Sequence, residues 1–268
     1  MPAVLFQVFE AVATITINRP QVRNALDPEA VVLLADAWKR VQDDDSIRVA
    51  VLTGAGDKAF CSGADLGKLI PLLTHARPPQ DEWDRRLIED KSLSSTAFLR
   101  GFSVYKPIIA AIRGHCLAGG FELALAADLR VASTDAQFAL PEPHHGLIPA
   151  GGSLARLPRM VPYATAMEIL LLGERFGAED ALRHGLLNRV VPPDKIMDTS
   201  MEIATSMSKL GPLALRKIKE TVLKSWGLPL EQAFQIENES WRDIVRSEDA
   251  KEGARAFKEK RPPHYLGR

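Results

Sequence analysis

"CLAGGFELALAADLRVAS", residues 116–133, decides how the chain is read. The run is almost entirely small and apolar, the composition of a buried helix passing directly into a buried strand. Two features interrupt it. A Gly-Gly pair, Gly119 and Gly120, stands where the helix begins, and Glu122 follows at once. A carboxylate among apolar side chains is costly unless it is hydrogen-bonded, paired or protonated. Glu122 therefore calls for a partner or a function.

Working outward, Ile108–Ile112 is an apolar run of strand length that ends at Gly114. Phe6 and Val8, then Val12 to Ile17, read as two short strands joined by a tight turn. Asp27-Pro28 is a helix start: Asp27 can cap it and Pro28 fits its first turn. Val31, Leu34, Ala35, Trp38 and Val41 then recur at helical spacing. Val49–Thr53 reads as a buried strand stopped by Gly54 and Gly56, Leu129–Ala132 as another, with a short strand around Phe138. Strands alternating with helices predict an α/β fold with helices packed on sheet.

Residues 66–80, with Pro71, Pro78 and Pro79, read as loop, and Glu82–Tyr105 as one long helix. Beyond Pro192-Pro193 the character changes, and residues 196–210, 212–226, 229–245 and 248–258 all predict helices. In the third, Leu230, Ala233, Phe234, Trp241, Ile244 and Val245 form an apolar stripe that needs a covering surface, from the core or from another subunit. No internal sequence repeat and no low-complexity segment is present.

Composition bounds the function. The chain has 268 residues, 46% hydrophobic and 25% charged, an ordinary globular balance with enough interior for a real core. Lys+Arg and Asp+Glu both number 34, so the zero formal charge argues against a nucleic-acid binder working through bulk charge. Cys61 and Cys116 have no metal-type spacing and read as reduced core residues; no metal is expected. No apolar run reaches the ~18 residues that cross a bilayer. The start of the chain lacks a basic leader pattern and its end is not a peroxisomal tripeptide, so no membrane role and a cytoplasmic location are expected.

Three stretches carry chemistry: Gly56–Leu66, Gly114–Leu123 and Ala139–Gly152. A helix beginning near Gly119 leaves its first N–H groups without internal acceptors, at the positive end of the dipole, and glycine permits close approach. The small turn Ser62-Gly63-Ala64 after a strand can supply a second donor, and two convergent N–H groups make an oxyanion hole. Glu142 lies between Pro141 and Pro143, which restrict the backbone and can aim its side chain. Two carboxyls in apolar surroundings suit acid–base work, because burial raises a carboxyl pKa and proximity separates the pair. Each feature has a plain structural reading when taken singly: packing for Gly119-Gly120, a helix-start carboxylate for Glu122, a loop residue for Glu142. Gly54-Ala55-Gly56 is not a phosphate loop, since no G-K-[ST] follows it.

Together, in this order, "TITINRPQVRNALD" (14–27), "VAVLTGAGDKAFCSGADL" (49–66), "IIAAIRGHCLAGGFELALAADLRVAS" (108–133), "FALPEPHHGLIPAGGSLARLP" (138–158) and "SEDAKEGARAFKEKRPP" (247–263) resemble the enoyl-CoA hydratase/isomerase family, the crotonase superfamily. The likeness covers essentially the whole chain. It implies an α/β spiral of ββα units over residues 1–195, carrying the CoA and catalytic sites, followed by a helical trimerisation region over 196–268. It places the oxyanion donors on the backbone N–H groups of Ala64 and Gly119. The backbone around Val22, Arg23 and Ala25, with Ser62 and Leu66, would bind CoA. Phe257 and Lys260 match positions that reach CoA, sometimes in a neighbouring subunit. The implied assembly is a homotrimer or a dimer of trimers, and the implied reaction belongs to acyl-CoA and fatty-acid metabolism.

Superfamily members share stabilisation of a thioester enolate, not one reaction. Hydratases carry two glutamates, and Glu122 and Glu142 match both positions. By the resemblance Glu142 protonates the α-carbon and Glu122 helps activate the water that attacks the β-carbon. The ligand is an acyl-CoA thioester, with CoA part of the substrate and no further cofactor. Isomerases and other acyl-CoA lyases of the family are the nearest alternatives, and a family member serving only to bind acyl-CoA or RNA is a more distant one. The sequence departs from the family at Ala150 and Ser153, where many members have glycine, and at Gly67, where a basic residue is usual and Lys68 is the nearest substitute. His115, His144 and His145 read as structural, loop or interface residues rather than metal ligands. In the segment Leu69–Phe98, the residues Leu72, Leu73, Trp83, Leu87 and Ile88 either wall an acyl pocket or pack its helices.

Overall fold

The apolar runs at 49–53 and 108–112 become central strands because both of their faces are covered. The structure, a computed structural model, describes residues 1–268. The chain opens with an antiparallel hairpin, β1 (Val4–Phe9) and β2 (Val12–Ile17). Next comes α1 (Pro28–Asp43), whose cap is the Asp27 carboxylate accepting from the N–H of Ala30 at 3.0 Å. β3 (Val49–Gly54) and β4 (Ala59–Cys61) precede three short helices, α2 (Leu69–Leu73), α3 (Glu82–Glu89) and α4 (Ser92–Ala97). β5 (Ile108–Ile112) and β6 (His115–Leu117) lead into α5 (Gly119–Ala126). β7 (Leu129–Ser133) and β8 (Gln137–Ala139) lead through a 3-10 turn at Glu142–His145 into α6 (Ser153–Met160) and α7 (Tyr163–Leu172). β9 (Phe176–Gly177), α8 (Ala178–Arg183) and β10 (Arg189–Val191) complete the strand-bearing part. Four helices follow: α9 (Ile196–Ser208), α10 (Pro212–Ser225), α11 (Leu230–Val245) and α12 (Glu248–Glu259).

Two sheets result, ordered β1-β2-β3-β5-β7-β10 and β4-β6-β8-β9. From β2 onward the larger sheet is parallel. Each of the pairs β3–β4, β5–β6 and β7–β8 sends its first strand to the large sheet and its second to the small one, with helices after it. This is the spiral of ββα units implied by the resemblance, a structural repeat without a sequence repeat. Alternation across the strands sorts the side chains. Ala13, Ile15, Ala50, Leu52, Ala110 and Ile112 enter the main core with Trp38. Val12, Val49, Val51, Ile109, Ala111 and Val131 form a second core on the other face, closed by Ile196 and Ala204 of α9.

The structure corrects two local expectations. Residues 66–80 are not all loop, since α2 forms there on buried Leu69 and Leu72. The long helix over 82–105 is broken: the Asp90 carboxylate accepts from the Ser92 N–H at 2.9 Å and its hydroxyl at 2.6 Å, outcompeting the helical ladder locally. Leu99 and Gly101, with φ of +52° and +72°, then turn the chain away from helix. Strand β6 pairs His115 with Gln137 in the small sheet, a structural place for that histidine.

Within one chain α11 buries none of its residues, and Leu230, Phe234 and Trp241 of its apolar stripe stand open to solvent. No helix is long and apolar enough to cross a membrane. Both cysteines are buried and free; burial pushes the Cys61 thiol up to about 12 and that of Cys116 well above its ordinary range, which makes both poor nucleophiles.

Candidate active site

The first of the two segments expected to hold an oxyanion is built by β4 and the turn after it. Gly63 has φ +96°, and a Cβ there would lie 2.5 Å from the Ala118 Cβ, so only glycine lets this turn lie against the start of α5. The turn is laced to the loop before α1: Ser62 N–H donates to Arg23 O at 3.1 Å, Leu26 N–H to Gly63 O at 2.8 Å and Asp65 N–H to Leu26 O at 2.8 Å. These bonds pass over the Ala64 N–H and leave it free for a ligand. On the facing side Ala118, a non-glycine residue at φ +50° and ψ −128°, caps α5 in a strained conformation. The N–H of Gly119, next in line, is the first of the helix and has no acceptor behind it. Gly120 serves packing, since a Cβ there would meet the Cys61 carbonyl oxygen at 2.1 Å.

Glu122 is 3% exposed. Its carboxylate does not cap its own helix. Oε1 accepts from the Ser153 N–H at 3.0 Å and the Ser153 hydroxyl at 2.8 Å. Gly152 caps α6 without a side-chain acceptor, so a glutamate from another helix fills that place and is fixed by it. Gly151 allows the approach: a Cβ there would sit 2.4 Å from Glu122 Oε2 and 2.8 Å from the Phe98 ring.

Glu142 heads a 3-10 turn entered from Pro141 and closed by Gly146 at φ +67°. Its Oε2 is buried without a hydrogen-bond partner. Burial pushes its carboxyl up to about 7; its own backbone N–H opposes that shift, and the neighbouring Glu122 adds to it.

Both glutamates, Ala64 and Gly119 line one cavity of about 670 Å³, the size of a small-molecule site. Of the expected CoA residues, Val22, Ala25, Ser62 and Leu66 also line it. Arg23 does not; its contribution is the carbonyl that receives Ser62. Phe257 and Lys260 lie on and just beyond the end of α12, exposed and outside this cavity within one chain. Lys68 is exposed, with its Nζ 3.4 Å from Asp27. Of the candidate acyl-pocket residues only Leu73 lines the cavity: Leu72 and Leu87 are core, and Trp83 and Ile88 pack against it. His144 bonds the Leu172 carbonyl at 2.7 Å, while His145 faces the cavity. Phe98, Arg100 and Ile148 line it without having been singled out from sequence. A second cavity of about 650 Å³ beside α10 contains one carboxylate, Asp128, 2.6 Å from Lys219, and so offers no acid–base pair.

Residues 7–268 match the enoyl-CoA hydratase/isomerase family, and the chain belongs to it. It is 39% identical over 267 residues to an (E)-benzylidenesuccinyl-CoA hydratase of Thauera aromatica, covering all of both chains. It is 36% identical over 270 residues to a carnitinyl-CoA dehydratase of Proteus mirabilis, covering 96% of each. The solved structure of an enoyl-CoA hydratase from Mycobacterium tuberculosis H37Rv matches with a TM-score of 0.89 at 37% identity, covering 100% of both chains.

Proposed function

We propose that the chain is an enoyl-CoA hydratase, adding water reversibly across the 2,3 double bond of an acyl-CoA thioester. The observation that carries this reading is the contrast between two carboxyls on one cavity: Glu122, buried and held by two donors, and Glu142, with a buried oxygen that lacks any partner. The thioester oxygen accepts from the N–H groups of Ala64 and Gly119, which stabilise negative charge as it develops there. The water oxygen bonds to the β-carbon while its proton passes to Glu122. The proton of Glu142 goes to the α-carbon, and exchange with solvent restores both groups. CoA itself lies along the loop backbone at Val22, Arg23 and Ala25 and against Ser62 and Leu66, and no group beyond the substrate is required. We assign the open stripe of α11 to contacts between copies in a trimer or a dimer of trimers, where Phe257 and Lys260 of one copy reach the CoA of the next.

The test is loss of the conjugated enoyl-thioester absorbance with a short 2-enoyl-CoA. Turnover that disappears in both Glu122→Gln and Glu142→Gln supports the reading. Conversion of a 3-enoyl-CoA to the conjugated product, with no hydration of that product, would replace it with an isomerase. Acyl-CoA binding without turnover of either would leave a binding protein.

A further inference from the structure

Arg100 is the one permanently cationic side chain on the wall of the candidate active site. The two turning residues Leu99 and Gly101 flank it and carry it out of the helical segment. Its guanidinium donates to the carbonyl oxygen of Ala150. The next residue is Gly151, where a Cβ would collide with both Glu122 and Phe98. Arg100, itself exposed, thus meets the cavity at the loop that packs over Glu122.

Its surroundings lack a counter-charge. A second guanidinium, Arg156, lies close by: a Cβ on Gly152 would meet Arg156 Nη1 at 2.2 Å and Arg100 Cγ at 3.6 Å, and the charge of Arg100 acts on Arg156. Arg156 is well provided. It donates to the carbonyls of Leu99 at 2.7 Å, Phe98 at 3.1 Å and Gly151 at 3.3 Å, and its charge faces Glu122. Arg100 has one carbonyl and no carboxylate. The other acids on the same cavity are engaged or unsuited: Asp65 pairs with Arg19 at 3.1 Å, Glu122 accepts from Ser153, and Glu142 is held towards its neutral form by burial. Two adjacent guanidiniums with one balancing carboxylate attract an anion, and the planar fork of arginine matches a carboxylate, an anion that an acyl chain can carry, with two parallel hydrogen bonds.

We propose that Arg100 selects the substrate, and that the acyl group accepted here bears a second carboxylate, held by the N–H groups of Arg100 that Ala150 does not use. The proposal rests on reading this cavity as the acyl-CoA site. The carboxylate is a spectator: it makes and breaks no bond during hydration. By the same charge, an acyl group ending in a quaternary ammonium is rejected.

Three short 2-enoyl-CoAs of matched length, ending in methyl, carboxylate and trimethylammonium, test it. The expected kcat/KM for the carboxylate tail is about tenfold or more above the methyl tail, as a charge-assisted pair allows, with the ammonium tail poorest. Arg100→Gln should bring the carboxylate-to-methyl ratio close to one, Arg100→Lys should keep part of it, and Arg100→Glu should invert the order of the charged tails. A wild-type ratio near one, or a ratio unchanged in Arg100→Gln, overturns the proposal. Calorimetric Kd values for the saturated acyl-CoAs with the same tails separate the two readings. A tail preference in binding that Arg100→Gln removes, without hydration of any enoyl-CoA, supports Arg100 and overturns the hydratase. Hydration without tail preference does the reverse.

Discussion

The two glutamates occupy contrasting regions of one cavity. Glu122 belongs to a regular helix, at the start of the apolar run, and its carboxylate is tied by two hydrogen bonds to the first residue of α6. Glu142 belongs to a 3-10 turn between prolines, and its Oε2 has no partner. Burial favours the neutral form of a carboxyl, and it pushes that of Glu142 up to about 7. The same residue type is a fixed acceptor in one region and a carboxyl that titrates near neutral pH in the other, the pairing that the proposed reaction requires. The backbone around each glutamate, rather than its identity, divides the labour.

The strongest way to break the comparison is to remove each carboxyl. Glu142→Gln and Glu122→Gln should each lower kcat by about two to four orders of magnitude, the usual contribution of a positioned acid or base. Retention of near wild-type hydration in either would dissolve the assigned roles. Gly63→Ala comes next. Its Cβ would lie 2.5 Å from that of Ala118, at a φ of +96° that favours glycine, so the turn bearing the Ala64 N–H has to move. Loss of an oxyanion donor costs about 10²–10³ in kcat, and a steady-state assay should show a fall approaching that range, with folding checked by circular dichroism.

A pH profile sharpens the contrast. With the Glu142 carboxyl pushed up to about 7, its acid form is lost above that pH, so kcat/KM for hydration should fall towards alkaline pH, and dehydration should fall towards acid. Weaker still is Ser153→Ala, which removes one of the two bonds to Glu122 Oε1. It should cost roughly tenfold in kcat, in keeping with one hydrogen bond to a charged group. KM should change little, and Ser153→Thr should restore part of the rate.

The smallest effect is on stability. A carboxyl whose folded-state pKa exceeds its unfolded value stabilises nothing at alkaline pH: the unfolded chain ionises first, and the penalty grows between the ordinary value of 4.5 and about 7, then stays constant. Glu142→Gln should therefore raise Tm by about a few degrees at pH 8 and leave it nearly unchanged at pH 4, in differential scanning calorimetry.

Much of this was legible in the chain. The Asp27-Pro28 helix start, the strands at 49–53 and 108–112, the helix opening at Gly119 and the tail of four helices all follow local spacing rules and recur in the structure. The segment 82–105 departs from the single helix its spacing predicts because Asp90 and Ser92 form a local side-chain turn that spacing does not register. The acyl wall was only partly found. For Leu72 and Leu87 the sequence leaves pocket wall and helix packing both open and the structure takes packing, whereas Phe98 and Arg100 reach the cavity from a turn that has no periodic pattern.

By itself, then, the sequence determined most of the elements outside 66–105, the α/β class and the family, along with the pair of glutamates and the two glycine-bearing turns. These reside in short-range spacing and in the motifs that resemble the family. Only the tertiary structure decided where Glu122 points, which oxygen of Glu142 is left unpartnered, and that Arg100 lines the same cavity without a carboxylate partner. Glu122 and Ser153 are 31 residues apart, and Arg100 and Ala150 are 50 apart. The electrostatic character of a carboxyl or a guanidinium is set by such distant neighbours, brought together when the spiral closes.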